Sequence, residues 1–62
     1  MGWTEQEVAL NQAQRLFGRT AYTENHMNYR LVGVGKGKSK VFCIGQTWDE
    51  AITGLERRLK AA

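Results

Sequence analysis

Lys36, Lys38 and Lys40 alternate with small residues in the run Gly35-Lys36-Gly37-Lys38-Ser39-Lys40, and no other segment carries so clear a chemical signal. Ammonium groups at every second position, separated by glycine and serine, suit an anionic, extended ligand. Phosphate fits that description: lysine meets it as a point charge, and amides bared by glycine donate to its oxygens. Arg30, on the segment leading into the run, adds a fourth cation, and the adjacent Tyr29 offers a ring on which a base can stack. Four phosphate contacts would weaken binding ~10²–10³-fold between low and moderate salt, because each contact releases a condensed counterion. The lysines also have a plainer use, which is to keep a turn soluble and discourage edge-to-edge pairing of strands.

Other chemistries find less support. His26, Ser39 and Asp49 each occur once in the chain and are the residue types of a nucleophile, a base and an orienting acid. Asp49, however, suits a helix N-terminus, Ser39 a turn and His26 a loop, and so short a chain has little room for a water-excluding pocket. The expectation is that the chain is not an enzyme. A structural zinc needs four ligands, and His26 with Cys43 supplies only half of them, so no metal site and no cofactor are expected. Gly37-Lys38-Ser39 imitates the end of a phosphate-binding P-loop. That motif requires glycine where Val32 stands, and it leads from a strand into a helix rather than into a second strand.

The elements that must position these residues are written plainly. Thr4-Glu5-Gln6-Glu7 is a capping box, with acids in the first turn to complement the helix dipole. Ala9, Leu10, Ala13, Leu16 and Phe17 then form an apolar stripe at helical spacing, and Gly18 is suited to end the helix in a left-handed conformation. Thr47-Trp48-Asp49-Glu50 is a second capping box. The face it opens contains Trp48, Ala51, Ile52, Leu55, Leu59 and Ala62, and Arg57, Arg58 and Lys60 complement the dipole at its far end.

Between the helices, Tyr29–Val34 and Lys40–Ile44 are rich in β-branched and aromatic residues and predict strands joined by a Gly35–Ser39 turn. Arg19–Glu24 predicts a weaker strand, turned into the next by Asn25-His26. In this register Phe42 and Ile44 share one sheet face with Val32 and Val34, while Tyr29 and Leu31 share the other with Val41 and Cys43. The fold class is therefore α+β: a single domain over residues 1–62, in the order α-β-β-β-α, an antiparallel β-meander with both helices packed on one face. Antiparallel sheets normally wet one face. An apolar second face marks either a contact surface or merely a short hydrophobic sheet.

The basic run Gly35–Lys40 resembles the Gly/Lys/Ser segment of double-stranded-RNA-binding domains, a family that shares the α-β-β-β-α order. In that family the segment opens a helix, whereas here it leads into the strand Val41-Phe42-Cys43-Ile44. Tyr29-Arg30 and Ile44-Gly45-Gln46-Thr47, followed by Asp49-Glu50-Ala51, are similar to the sheet and helix of integrase-type N-terminal DNA-binding domains. Those domains often carry tryptophan on the last strand, where this chain has Cys43. Both resemblances imply a nucleic-acid partner.

Size and charge complete the sequence reading. A chain of 62 residues buries only about 60% of the surface its unfolded form exposes, and a lone cysteine provides no internal disulfide. At 42% hydrophobic and 24% charged residues the composition is that of a folded domain. The net charge of +3 arises in the middle of the chain, because both helical segments nearly balance their own charges. No apolar run is long enough to span a bilayer, the start lacks the pattern of a secretory signal, and Gln6 stands where a myristoylation motif wants Ser or Thr. The expectation is a cytoplasmic, non-enzymatic, phage- or prophage-type protein that binds DNA or RNA through Tyr29, Arg30, Lys36, Lys38 and Lys40. The rival expectation is a protein-binding adaptor or inhibitor, such as a phage factor that blocks a host or defence complex by docking on an acidic or nucleic-acid-binding surface. A homodimer through an exposed strand edge is compatible with both, and no membrane partner is expected.

Overall fold

The computed structural model describes residues 2–61. Helix α1 (Glu5–Phe17) is followed by strands β1 (Tyr22–Asn25), β2 (Arg30–Val34) and β3 (Val41–Gly45), and helix α2 (Trp48–Ala61) closes the chain. The strands form a three-stranded antiparallel sheet in the order β1-β2-β3. Both helices lie on one face of it, giving the α+β meander that the sequence predicts.

The threonine half of each capping box forms. The Thr4 hydroxyl accepts from the Glu7 amide at 3.1 Å, and the Thr47 hydroxyl accepts from the Glu50 amide at the same distance. The returning carboxylates are less regular. Glu7 accepts from the Thr4 hydroxyl at 3.3 Å rather than from the Thr4 amide, and Glu50 reaches one residue beyond its cap to accept from the Gln46 amide at 2.9 Å. Gly18 ends α1 at a positive φ of 102° but with an extended ψ of −178°, so the chain leaves straight towards β1 rather than curling in the left-handed helical region.

The core is built from small residues. Ala9, Ala13, Ala21, Val32, Ala51, Ile52 and Leu55 are buried, with Phe17, Val34, Cys43 and Trp48 packed around them. Alanine at so many core positions lets the helices approach the sheet closely. The tightest approach is Gly54 in the middle of α2, where an added Cβ would fall on the Cys43 sulfur. Elsewhere in a helix glycine costs about 1 kcal/mol relative to alanine; here it makes room for β3. The α1 stripe is correspondingly narrower than its apolar residues suggest, and Leu16, expected within it, is 51% exposed. On α2, Leu59 is also exposed, because every described residue from Arg57 onward lies beyond the core. Ala62, assigned to the same face from sequence, lies outside the described residues.

The hairpin register departs from expectation by one residue, with large consequences. Val34 pairs with Val41, Gly33 with Phe42, Val32 with Cys43 and Leu31 with Ile44. Lys40 therefore belongs to the loop, not the strand. Because successive side chains alternate between faces, this slip moves every β3 side chain to the opposite face. Val41 and Cys43 share the helix-covered face with Val32 and Val34, and Phe42 and Ile44 stand on the open face with Leu31. Tyr29 also drops out of the sheet, into the turn between β1 and β2, where the His26 amide donates to the Tyr29 carbonyl at 3.0 Å.

Substituting Gly54→Ala should therefore destabilise the domain by about 1–3 kcal/mol through overpacking, despite the better helix propensity of alanine. Cys43→Ala combined with Gly54→Ala should recover most of that loss, because it removes the sulfur from the point of collision. Urea unfolding of the two single variants and the double variant measures the coupling. Simple additivity would show that the two sites do not meet.

Candidate nucleic-acid interface

The loop Gly35–Lys40 is ordered by its own backbone and by its neighbour. Gly35 has a φ of +114° and Gly37 a φ of +56°, conformations that residues with a Cβ rarely adopt, and they bend the chain on either side of Lys36. Gly37–Ser39 forms one 3₁₀ turn, in which the Ser39 amide donates to the Lys36 carbonyl at 3.0 Å. The Gly35 amide donates to the Thr20 hydroxyl at 3.2 Å, tying the loop to the turn that precedes β1. The Gly/Lys/Ser run is thus a tight hairpin loop and not the start of a long helix, as it is in the double-stranded-RNA-binding domains it resembles.

Lys36, Lys38 and Lys40 are all exposed, and among the described residues none of them is in an ion pair. The Lys40 ammonium lies 5.6 Å from the centroid of the Tyr22 ring, at the border of the open sheet face. The Thr20 bond places the exposed Arg19 at this same end of the sheet. Sequence reasoning missed Arg19 because it counted that residue as the start of a strand. Between the helices Glu24 is the sole acid, set against Arg19, Arg30 and the three lysines.

Arg30 and Tyr29 are not part of this cluster. They sit at the other end of β2, about 13 Å of strand away from Val34. Arg30 is half-buried there and already engaged: its Nη1 donates to the His26 carbonyl at 3.2 Å, and its guanidinium lies 5.8 Å from the Trp48 ring centroid. It bridges the β1–β2 turn to the start of α2. The Tyr29 ring packs against His26, with centroids 4.5 Å apart and planes inclined by 32°. His26 in turn meets the Glu24 carboxylate at 2.7 Å. Ser39 lies at the opposite end of the sheet from His26, so the residue types of a catalytic triad are not assembled.

The open face is the second feature that sequence reasoning misplaced. Tyr22, Gly33 and Phe42 are register partners and form one rung across all three strands. A Cβ at Gly33 would fall on the Tyr22 ring, so that ring leans inward over the central strand. Phe42 is 48% exposed, and Ile44 on the next rung is 53% exposed. The signal that locates this rung is the assignment of Lys40 to the loop, which pairs Phe42 with Gly33, together with the β1–β2 register that pairs Gly33 with Tyr22.

Among the described residues no helix is long and apolar enough to cross a membrane, and no group of His, Cys, Asp and Glu is placed to hold a metal ion. Comparison with protein-family models, with curated proteins and with solved structures finds no match to this chain.

Replacing Arg30 by alanine should cost about 1–2 kcal/mol of stability, by removing a hydrogen bond and a cation–π contact. It should not change the salt dependence of any nucleic-acid binding. Thermal unfolding together with a salt titration checks both halves, and a reduced salt slope would return Arg30 to the phosphate-contacting set.

Proposed function

We propose that this protein binds nucleic acid, gripping the phosphate backbone with Lys36, Lys38, Lys40 and Arg19 at one end of its sheet. The observation that carries the reading is the cluster of exposed lysines, none held by an acid, on a loop whose backbone is already fixed. An ordered loop loses little entropy when it meets its ligand, and point charges on it contact phosphate without regard to sequence. The glycine-bared amide of Gly37, between Lys36 and Lys38, extends the same chemistry, while that of Gly35 is already given to Thr20. The role is one of binding, with no catalytic step. On this reading its setting is the cytoplasm, where nucleic acid is available and the single thiol of Cys43 stays reduced.

The competing role, a protein-binding adaptor or inhibitor, draws on the apolar side chains of the open face. The two separate cleanly in a gel-shift series across salt. On the nucleic-acid reading, four phosphate contacts give a roughly hundredfold loss of affinity between about 50 and about 200 mM salt. Charge reversal of the lysines (Lys36→Glu, Lys38→Glu and Lys40→Glu together) should abolish retention at low salt while the circular dichroism spectrum stays unchanged. Binding that survives this triple reversal would sink the assignment, and a wild-type protein that retains no nucleic acid at low salt would favour the adaptor.

A further inference from the structure

We propose that the open sheet face is a stacking platform for unpaired bases, so that the ligand is single-stranded nucleic acid rather than a duplex. The inference rests on the nucleic-acid reading above and narrows it to one class of ligand.

Three observations converge on that face. First, the rung Tyr22–Gly33–Phe42 sets two aromatic side chains on either side of a residue with no side chain. Their Cα atoms are two strand spacings apart, about 10 Å, and the Tyr22 ring leans over Gly33 to shorten the gap. Second, the charge stands beside the rings. The Lys40 ammonium lies over the Tyr22 ring, 5.6 Å from its centroid, and Lys36 and Lys38 belong to the same loop. A base stacked on Phe42 would hold its own phosphate near that loop, and one stacked on Tyr22 would displace the Lys40 ammonium from the ring towards that phosphate. Third, the sole acid on the face, Glu24, lies towards the opposite end and already meets His26 at 2.7 Å.

The alternatives use fewer of these features. In a duplex the bases are already stacked on one another, so Tyr22 and Phe42 would have nothing to receive, and a phosphate backbone would desolvate Leu31 and Ile44 to no benefit. A splayed single strand uses both halves of the surface: its bases stack on the rings and its phosphates meet the lysines. An apolar protein partner, or a second copy of this chain, would bury Phe42 and Ile44 but leave the lysine cluster beside them without a role.

Fluorescence anisotropy of the full chain with labelled oligonucleotides tests the proposal. The probes are oligo-dT, oligo-rU and a mixed-sequence duplex of similar length, each about 16 residues, the upper end of the span one small domain covers. Both or either of the single strands should bind about tenfold or more tightly than the duplex, and comparing the two tells DNA from RNA. Phe42→Ala should weaken single-strand binding about 5- to 100-fold without altering its salt slope, because stacking releases no counterion. Phe42→Trp should preserve the affinity. Tyr22→Leu should weaken it similarly, with circular dichroism confirming the fold, since this ring also packs on Gly33. If duplex binds as well as single strands and Phe42→Ala is silent, the platform is overturned while the lysine reading stands. If no probe binds the wild type at low salt, both fall. If Phe42→Ala lowers the mass in solution by light scattering yet leaves oligonucleotide affinity unchanged, the face joins two copies and the proposal is wrong.

Discussion

The pairing of Val34 with Val41 is the interaction on which the rest of the molecule depends, because it decides which side of the sheet each β3 residue occupies. With Lys40 in the loop, Cys43 points under α2 and Phe42 points away from it. One residue fewer in the loop would exchange them. Phe42 and Ile44 would then have to fit beneath helices that approach closely enough for an added Cβ at Gly54 to strike Cys43. That space admits a thiol but not a phenyl ring. The small core and the loop length are therefore two expressions of one constraint, and each excludes the alternative register that the other would otherwise permit.

A consequence follows for the distribution of apolar surface. A core in which alanine fills Ala9, Ala13, Ala21 and Ala51 gains less from burial than one built of leucine, since hydrophobic stabilisation scales with the area removed from water. The larger apolar side chains of β3 meanwhile stand in solvent. A domain of this size is stabilised by only about 3–9 kcal/mol. Leaving Phe42 and Ile44 half-exposed forgoes about 1.5–3 kcal/mol in all that full burial could have contributed. Such a distribution is understandable when the exposed rung makes contacts that the isolated chain cannot make for itself.

The parts of this fold that were legible from sequence are those governed by local rules. The threonine caps at Thr4 and Thr47, the helical spacing of Ala51, Ile52 and Leu55, and the β-rich segments around Val32 and Cys43 each depend on residues within a few positions of one another. Register does not. Whether Lys40 ends the loop or begins a strand depends on two positive-φ glycines and a 3₁₀ turn, and on the Gly35 amide donating to the Thr20 hydroxyl of a distant turn. The lysines were legible as a cluster because they are contiguous. Arg30's separation from them was not legible, because nothing local reveals that Trp48 and the His26 carbonyl hold it at the other end of the strand. Arg19 was missed for the converse reason: only the Thr20–Gly35 bond shows that it belongs with the loop.

Charge and aromaticity meet at one border of the sheet, and the topology explains why. In a meander, the turn before β1 and the β2–β3 loop emerge at the same end, so Arg19 and the lysines gather there without any long-range contact between their side chains. Tyr22 is the first residue of β1, and Phe42 pairs with Gly33 one rung in from that loop. The rings therefore fall next to the cations as a matter of strand order. Arg30, starting β2 at the opposite end, is committed to holding the β1–β2 turn against α2 and adds nothing to this border. The helices carry nearly balanced charge and supply the rigid backing, while the excess positive charge is confined to the layer that faces outward. On the proposed reading, a surface with that arrangement would discriminate by shape as much as by charge, because the ligand would have to bring its anionic groups to the loop and its flat apolar groups to the rung at the same time.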